Sequence, residues 1–235
     1  MNYAKEYQSR LVTADQAVKV VKSGDWIDYG EFCGQVRDLD QALAKRKDEL
    51  TDVKIWSTVN PYPTAVNEVD PTGESFVWHS WHVSGADRKI AKAGKPFYYS
   101  PIKYSEVPRY IRERIEPLDV AMIQVAPIDK KGFFNFGPQC SFTRAVCDRA
   151  KIVIVEVNDK QPRCLGGYEE GIHISEVDYI VEGSNQPLAL VPAPPPTEVD
   201  NKVAALILEE ITDGCCIQLG IGGMPNAIGM AIAES

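Results

Sequence analysis

Apolar and polar positions along the chain switch repeatedly between the spacing of a helix and that of a strand. Thr13 and Gln16 form a capping-box pair, Val18, Val20 and Val21 supply apolar positions and Gly24 closes the segment, so residues 13–23 are predicted helical. Asp25–Tyr29 then reads as a short strand. The rhythm continues with a helix over Arg37–Leu50, strands over Val53–Val59 and Ser75–His79, a helix over Gly85–Ala93, a strand over Phe97–Ser100 and a helix over Glu106–Arg114. Leu118–Val125 and Lys151–Val157 are apolar almost throughout, as central strands buried on both faces of a parallel sheet must be. Between them, Asp129–Gly137 has the turn and aromatic chemistry of a loop or hairpin, and Ser141–Ala150 reads as a helix. The pattern predicts an α/β fold, an open and mostly parallel sheet flanked by helices.

Gln186–Val199 breaks this rhythm, because its five prolines can neither continue a helix nor occupy a central strand. The expected organisation is a first α/β domain over residues 1–186, a proline-rich linker over 187–197 and the start of a second domain over 198–235. This last piece reads as a helix over Glu198–Thr212, a strand over Cys215–Leu219, a glycine turn and a helix from Met224 or Pro225 onward. One αβα unit buries too little apolar surface to stand alone, since domains below about 40 residues need staples. The segment is therefore expected to belong to something larger, and the run Ala231–Ser235, without a capping glycine or polar tail, to be a cut end.

Composition narrows the function. A formal charge of −8 with no basic stripe argues against nucleic acid as a partner, and 44% hydrophobic residues suit a globular core. Met1–Arg10 has no apolar signal segment and no run is long enough to span a bilayer, so a cytoplasmic location without membrane attachment is expected. The six cysteines lack a CxxC pair and are read as reduced core thiols.

The sharpest chemical feature is Gly220-Ile221-Gly222-Gly223-Met224-Pro225-Asn226, which joins an apolar segment to a helix. Glycines allow a ligand to approach the backbone closely, and free N–H groups at a helix start favour an anion or a developing oxyanion; a strand-to-helix turn also takes glycine for geometry alone. A dinucleotide fingerprint would need glycine where Pro225 stands, and Gly94-Lys95 is followed by Pro96, which does not complete a phosphate loop. His79 and His82 have the spacing of a metal pair without a third ligand, so no metal is expected. His173 reads as a hydrogen-bonded polar residue, Cys215-Cys216 lacks a base partner, and Lys130-Lys131 reads as a solvated pair able to attract phosphates.

Residues 218–229, QLGIGGMPNAIG, resemble the coenzyme A loop of 4-hydroxybutyrate and butyryl-CoA:acetate CoA-transferases, members of the acetyl-CoA hydrolase/transferase family. Lys131–Pro138, KGFFNFGP, is similar to a loop that borders the acyl pocket in those enzymes, and Asn60-Pro61-Tyr62-Pro63 and Trp78–His82 add matches in the same order. The resemblance spans the chain and implies two similar α/β domains, a homo-oligomer and coenzyme A as substrate, with no tightly bound cofactor. It implies that Gly220, Ile221, Gly222, Gly223 and Met224 meet the coenzyme and that Phe134, Asn135, Phe136, Gly137 and Pro138 shape the acyl site. Its reaction is attack by a glutamate carboxylate on an acyl-CoA thioester, with an acceptor acid such as acetate. That glutamate is expected beyond Ser235, so no residue of this chain is given the role and the chain alone is expected to be inactive. An acyl-CoA hydrolase and a non-catalytic binding module or scaffold are the alternatives.

Overall fold

The computed structural model describes residues 3–113, 117–190 and 194–235. They fall into two compact units, Met1–Ala189 and Leu190–Ser235. In the first, α1 (Ala4–Arg10) and α2 (Ala14–Ala17) precede β1 (Trp26–Glu31), and α3 (Asp38–Ala44) leads to β2 (Val53–Thr58). The alternation continues through α4 (Ala65–Val69), β3 (Phe76–Ser80), α5 (Gly85–Lys92), β4 (Phe97–Tyr99), α6 (Val107–Glu113) and β5 (Val120–Val125). β6 (Phe133–Asn135), α7 (Thr143–Arg149), β7 (Ile152–Val157), β8 (Gly171–His173) and β9 (Tyr179–Glu182) complete it. The second unit holds α8 (Glu198–Leu208) and α9 (Gly223–Glu234).

Seven strands form one parallel sheet in the order β4-β3-β2-β1-β5-β7-β9. β5 and β7 lie side by side, Val120 opposite Ile152 through Val125 opposite Val157, and β5 is buried along its whole length. Their mainly apolar runs, interrupted by the buried Gln124 and Glu156, follow from this, because each face packs on its own core. Ala121, Ile123, Val153 and Val155 point to one core with Phe134, Val146 and Ile180; Val120, Met122 and Ile154 point to the other with Leu39, Leu43 and Trp78. β6 and β8 pair antiparallel in a small separate ribbon.

The strand order runs outward in both directions from β1, with β2 on one side and β5 on the other. In open parallel sheets, ligands bind where the order reverses, outside the carboxyl ends of the strands. The end of β1 is therefore the place where the architecture sets a site.

Several elements differ from the sequence expectation. The helix predicted over 13–23 is one α-turn, Ala14–Ala17, followed by a 3-10 turn over Val18–Val20, and Val21 is already extended. Crowded β-branched valines restrict their rotamers in an α-helix, and here they serve as core instead. The helix predicted from Arg37 stops at Ala44, and that from Glu198 stops at Leu208. Cys215–Leu219 is not a strand: the second unit offers no partner strand among the described residues, so its backbone forms no ladder. The reading of all six cysteines as core thiols fails for the same reason, since Cys33 and Cys147 are buried but Cys215 and Cys216 are exposed. Arg114 of the predicted helix and residues 191–193 of the predicted linker lie outside the described residues.

Candidate functional site

The carboxyl end of β1 is irregular in a way that opens the backbone. The β1–β2 register shifts between Asp28 and Glu31, Gly30 has φ 71°, and a Cβ on Gly30 would lie 3.0 Å from the Gly34 carbonyl oxygen. Asp28 Oδ1 accepts the Gly30 N–H at 2.8 Å and holds the bulge. Just beyond, Phe32 has φ 43°; Val59, past the end of β2, has φ 48°; and Ser141, ahead of α7, has φ 41°. Side-chain-bearing residues enter this region at a cost of about 1–3 kcal/mol each, and such strain gathers at functional sites.

Glu31 is the last residue of β1 and only 5% exposed. The Tyr104 hydroxyl donates to its Oε2 at 3.3 Å, and Gln139 and Ser141 also hydrogen-bond the carboxylate. Tyr104 Oη and Ser141 Oγ hydrogen-bond each other, Tyr104 on the exposed surface and Ser141 half-buried. Burial pushes the Glu31 carboxyl above its ordinary value, opposed by the hydrogen bonds from Ser141, Gln139 and Tyr104 and by the charge of His82. Behind it, burial pushes Asp28 up to about 7, against the Gly30 N–H and with the help of Glu31's charge. The end of the sheet thus carries a buried carboxyl behind two surface hydroxyls.

The loop that delivers Gln139 and Ser141 is the continuation of Phe133–Pro138. Phe134 and Phe136 are 0% and 1% exposed and belong to the core, whereas Pro138 is exposed. Asn135 is buried and bonded at both ends of its amide: its Oδ1 accepts from Gly137 N at 2.8 Å and Cys164 N at 3.0 Å, and its Nδ2 donates to Cys164 O at 3.0 Å. Gly137 has φ 67° and lies against the Gln161 side chain, which itself donates to Phe136 O at 2.9 Å. Phe134 and Asn135 border a small concavity with Lys131, Arg163, Tyr168 and Glu170. The aromatic pair anchors the loop and Asn135 fixes its turn.

The segments Asn60–Pro63 and Trp78–His82 meet at Asp87 of α5. This buried carboxylate accepts from Asn60 Nδ2 and Trp78 Nε1 at 3.0 Å, from Ser80 Oγ at 3.2 Å and from Ser84 N at 2.7 Å. One side chain therefore ties the ends of β2 and β3 to a helix start.

In the second unit, Gly222 is the N-cap of α9, with φ 134° and no side-chain cap, and α9 begins at Gly223. Pro225 sits in the first turn, where a missing N–H costs nothing. Ile221 is 83% exposed and Met224 44%, so the bend presents its backbone and two apolar side chains at the surface. Uncapped amides at a helix start are suited to an anionic or polarised oxygen.

A family model described as the acetyl-CoA hydrolase/transferase N-terminal domain matches residues 1–192. The chain belongs to the acetyl-CoA hydrolase/transferase family. It is 52% identical over its whole length to the butyryl-CoA:acetate CoA-transferase of Anaerostipes caccae, covering 53% of that protein. It is 35% identical to the 4-hydroxybutyrate coenzyme A transferase of Clostridium kluyveri over 97% of the chain and 52% of that relative. The crystal structure of RipA from Yersinia pestis superposes with a TM-score of 0.88 at 27% identity, covering 100% of this chain and 56% of RipA. The chain spans about half the length of the curated relatives it matches.

Other residues singled out in the sequence of this family member have local duties. His79 packs against Trp26, Trp56 and Tyr98, and burial pulls it down to about 4, so it is neutral. His173 Nδ1 accepts the Ser175 N–H and caps a short turn. Among the described residues no group of His, Cys, Asp and Glu is placed to hold a metal, and no helix is long and apolar enough to cross a membrane. Lys130 and Lys131 lie in an exposed turn shaped by Asp129. Glu31, Tyr104, Gln139 and Ser141 were not singled out from the sequence. The only signal the sequence offered for them is an acidic residue, Glu31, two positions past the predicted strand end at Tyr29.

Proposed function

We propose that the protein containing this chain moves coenzyme A between a short-chain acyl-CoA, 4-hydroxybutyryl-CoA or butyryl-CoA, and a carboxylate such as acetate. The observation that carries this reading is the 52% identity, over the entire chain, to a butyryl-CoA:acetate CoA-transferase. A glutamate outside residues 1–235 attacks the thioester carbonyl and releases CoA thiolate, leaving a mixed anhydride. The thiolate then attacks the glutamyl carbonyl, so the first carboxylate leaves and a glutamyl-CoA thioester remains. The acceptor carboxylate reverses both steps. Gly220–Met224 supplies backbone amides toward the thioester oxygen and the coenzyme, and the Phe134–Pro138 loop shapes the acyl site from the first unit. The proline-bearing stretch 187–197 is the link between the two domains, and the working enzyme is a homo-oligomer in the cytoplasm.

The test is trapping. Full-length enzyme incubated with butyryl-CoA and reduced with borohydride yields one modified glutamate, located by mass spectrometry outside residues 1–235. Thioester conserved in the presence of acetate marks a transferase; free thiol released at the same rate without acetate marks a hydrolase and rejects the transfer reading. Residues 1–235 alone show no turnover, and activity from this exact polypeptide would falsify the placement of the nucleophile.

A further inference from the structure

We propose that Glu31, Tyr104 and Ser141 form a proton-switched recognition site for the carboxylate of a short-chain acid, in which the two hydroxyls touch the acid and Glu31 is the positioning residue. The inference rests on the reading above that such an acid is a substrate. It starts from place: these side chains lie where the strand order reverses, at the carboxyl end of β1, with left-handed Phe32 and Ser141 on either side. It then rests on layering. The carboxyl is nearly inaccessible, while the Tyr104 ring is 59% exposed and its hydroxyl bonds Ser141 Oγ at the surface.

Counting protons gives the switch. With Glu31 ionised, Tyr104 donates to Oε2 and Ser141 donates to the carboxylate or to Tyr104, so both hydroxyl hydrogens are drawn inward. Only oxygen lone pairs then face outward, and these repel an anion. When Glu31 takes one proton from solvent, its O–H donates to the Tyr104 oxygen. One hydroxyl hydrogen is thereby released to point outward and is available to a carboxylate oxygen. An acid anion therefore binds together with a proton, and the charge brought in is neutralised at the buried carboxyl.

The surroundings set where this happens. Asp28 faces Glu31 from its own strand, Cys33 from the following turn, His82 from beyond β3, Tyr104 from ahead of α6, and Gln139 and Ser141 from ahead of α7, with Cys140 beside Tyr104. Burial favours the protonated form, while the hydrogen bonds from Ser141, Gln139 and Tyr104 and the charge of His82 favour the ionised one. The net displacement is upward from the ordinary carboxyl value.

Calorimetric titration of the full-length protein with butyrate, in two buffers of different protonation heat, tests this directly. Above the Glu31 transition the wild type takes up close to one proton per butyrate bound, and affinity falls with rising pH. Glu31→Gln, whose amide always donates to Tyr104, binds butyrate without proton uptake and without that pH dependence. Tyr104→Phe, a change to an exposed ring, weakens butyrate about tenfold, the value of one charge-assisted hydrogen bond. It keeps the inference testable if Glu31→Gln proves unstable. Proton uptake in Glu31→Gln equal to wild type, butyrate affinity unchanged in Tyr104→Phe, or no butyrate heat at all overturns the proposal. A failed borohydride trap alongside proton-coupled butyrate binding rejects the transfer reading and leaves this site standing.

Discussion

Asn135 shows how a residue beside a candidate site earns its place through backbone alone. Its amide accepts two N–H groups and donates to one carbonyl, all in a buried turn. Asn135→Ala leaves these groups unpaired, at about 1–3 kcal/mol for each one that water cannot reach, and lowers the urea midpoint accordingly. Asn135→Asp keeps both accepted bonds and loses the donated one, so it lands between; equal effects would show that the turn is not what Asn135 supports. Gly171, opposite Asn135 in the β6–β8 ribbon, is excluded from change by space: a Cβ there would sit 2.4 Å from Phe134 O. Gly171→Ala is expected to cost about 1–3 kcal/mol by overpacking, read from the same urea titration. Asp28 yields a pH prediction. Its folded carboxyl titrates near 7 and its unfolded one near 3.8, so the folded state holds the extra proton between these values. This contribution is full below about 3.8 and is lost as pH rises through about 7. Asp28→Asn can still accept from Gly30 N and does not ionise, so its melting temperature gains on the wild type from about pH 4 to about pH 7 and levels off above that.

Elements differ in how much of themselves they show in sequence. β5 and β7 were legible because burial on both faces leaves only Gln124 and Glu156 as polar positions in otherwise apolar runs. The α5 start was read at Gly85, where the structure has it; the capping box of Ser84 and Asp87 there, and the gathering of Asn60, Trp78 and Ser80 by Asp87, came from the structure. Asp87→Ala strips the acceptor from several buried donors at once and should destabilise the protein by several kcal/mol, more than Ser84→Ala, for which the loss of a cap is about 1 kcal/mol. A thermal melt ranking these two the other way would remove Asp87 from its central role. Cys215–Leu219 misled for a physical reason: an apolar run specifies readiness to pair, and pairing needs a neighbour that this stretch of chain does not provide. The β1 end was read as closing at Tyr29, two residues early. The bulge at Gly30 hides the period there, and with it Glu31 went unnoticed. The glycine bend was legible because Gly222 at φ 134° occupies a conformation that few other residues tolerate. On the proposed transferase reading, Gly222→Ala in the full-length protein should raise the KM for acyl-CoA without lowering the urea midpoint of the first unit.

At the scale of the whole molecule, the seven-stranded sheet and both cores belong to residues before 190. The second unit is a helix pair that leaves Val199, Leu206, Ile217, Leu219 and Met230 exposed. Thermolysin is therefore expected to cut first near Leu188 and Leu190, where no ladder protects the backbone, and to leave the first unit intact. A first cut inside β1–β9 would contradict the division into units. The four tryptophans also have an unequal address. All lie in the first unit, and Trp26, Trp56 and Trp81 stack at centroid distances of 5.1 Å and 4.2 Å along a concavity of about 550 Å³ under α6. Light absorbed at the red edge of the protein spectrum is consequently absorbed by the first unit of this chain only. An emission change seen on mixing with any compound reports an event sensed by the sheet, and the helix pair is optically silent.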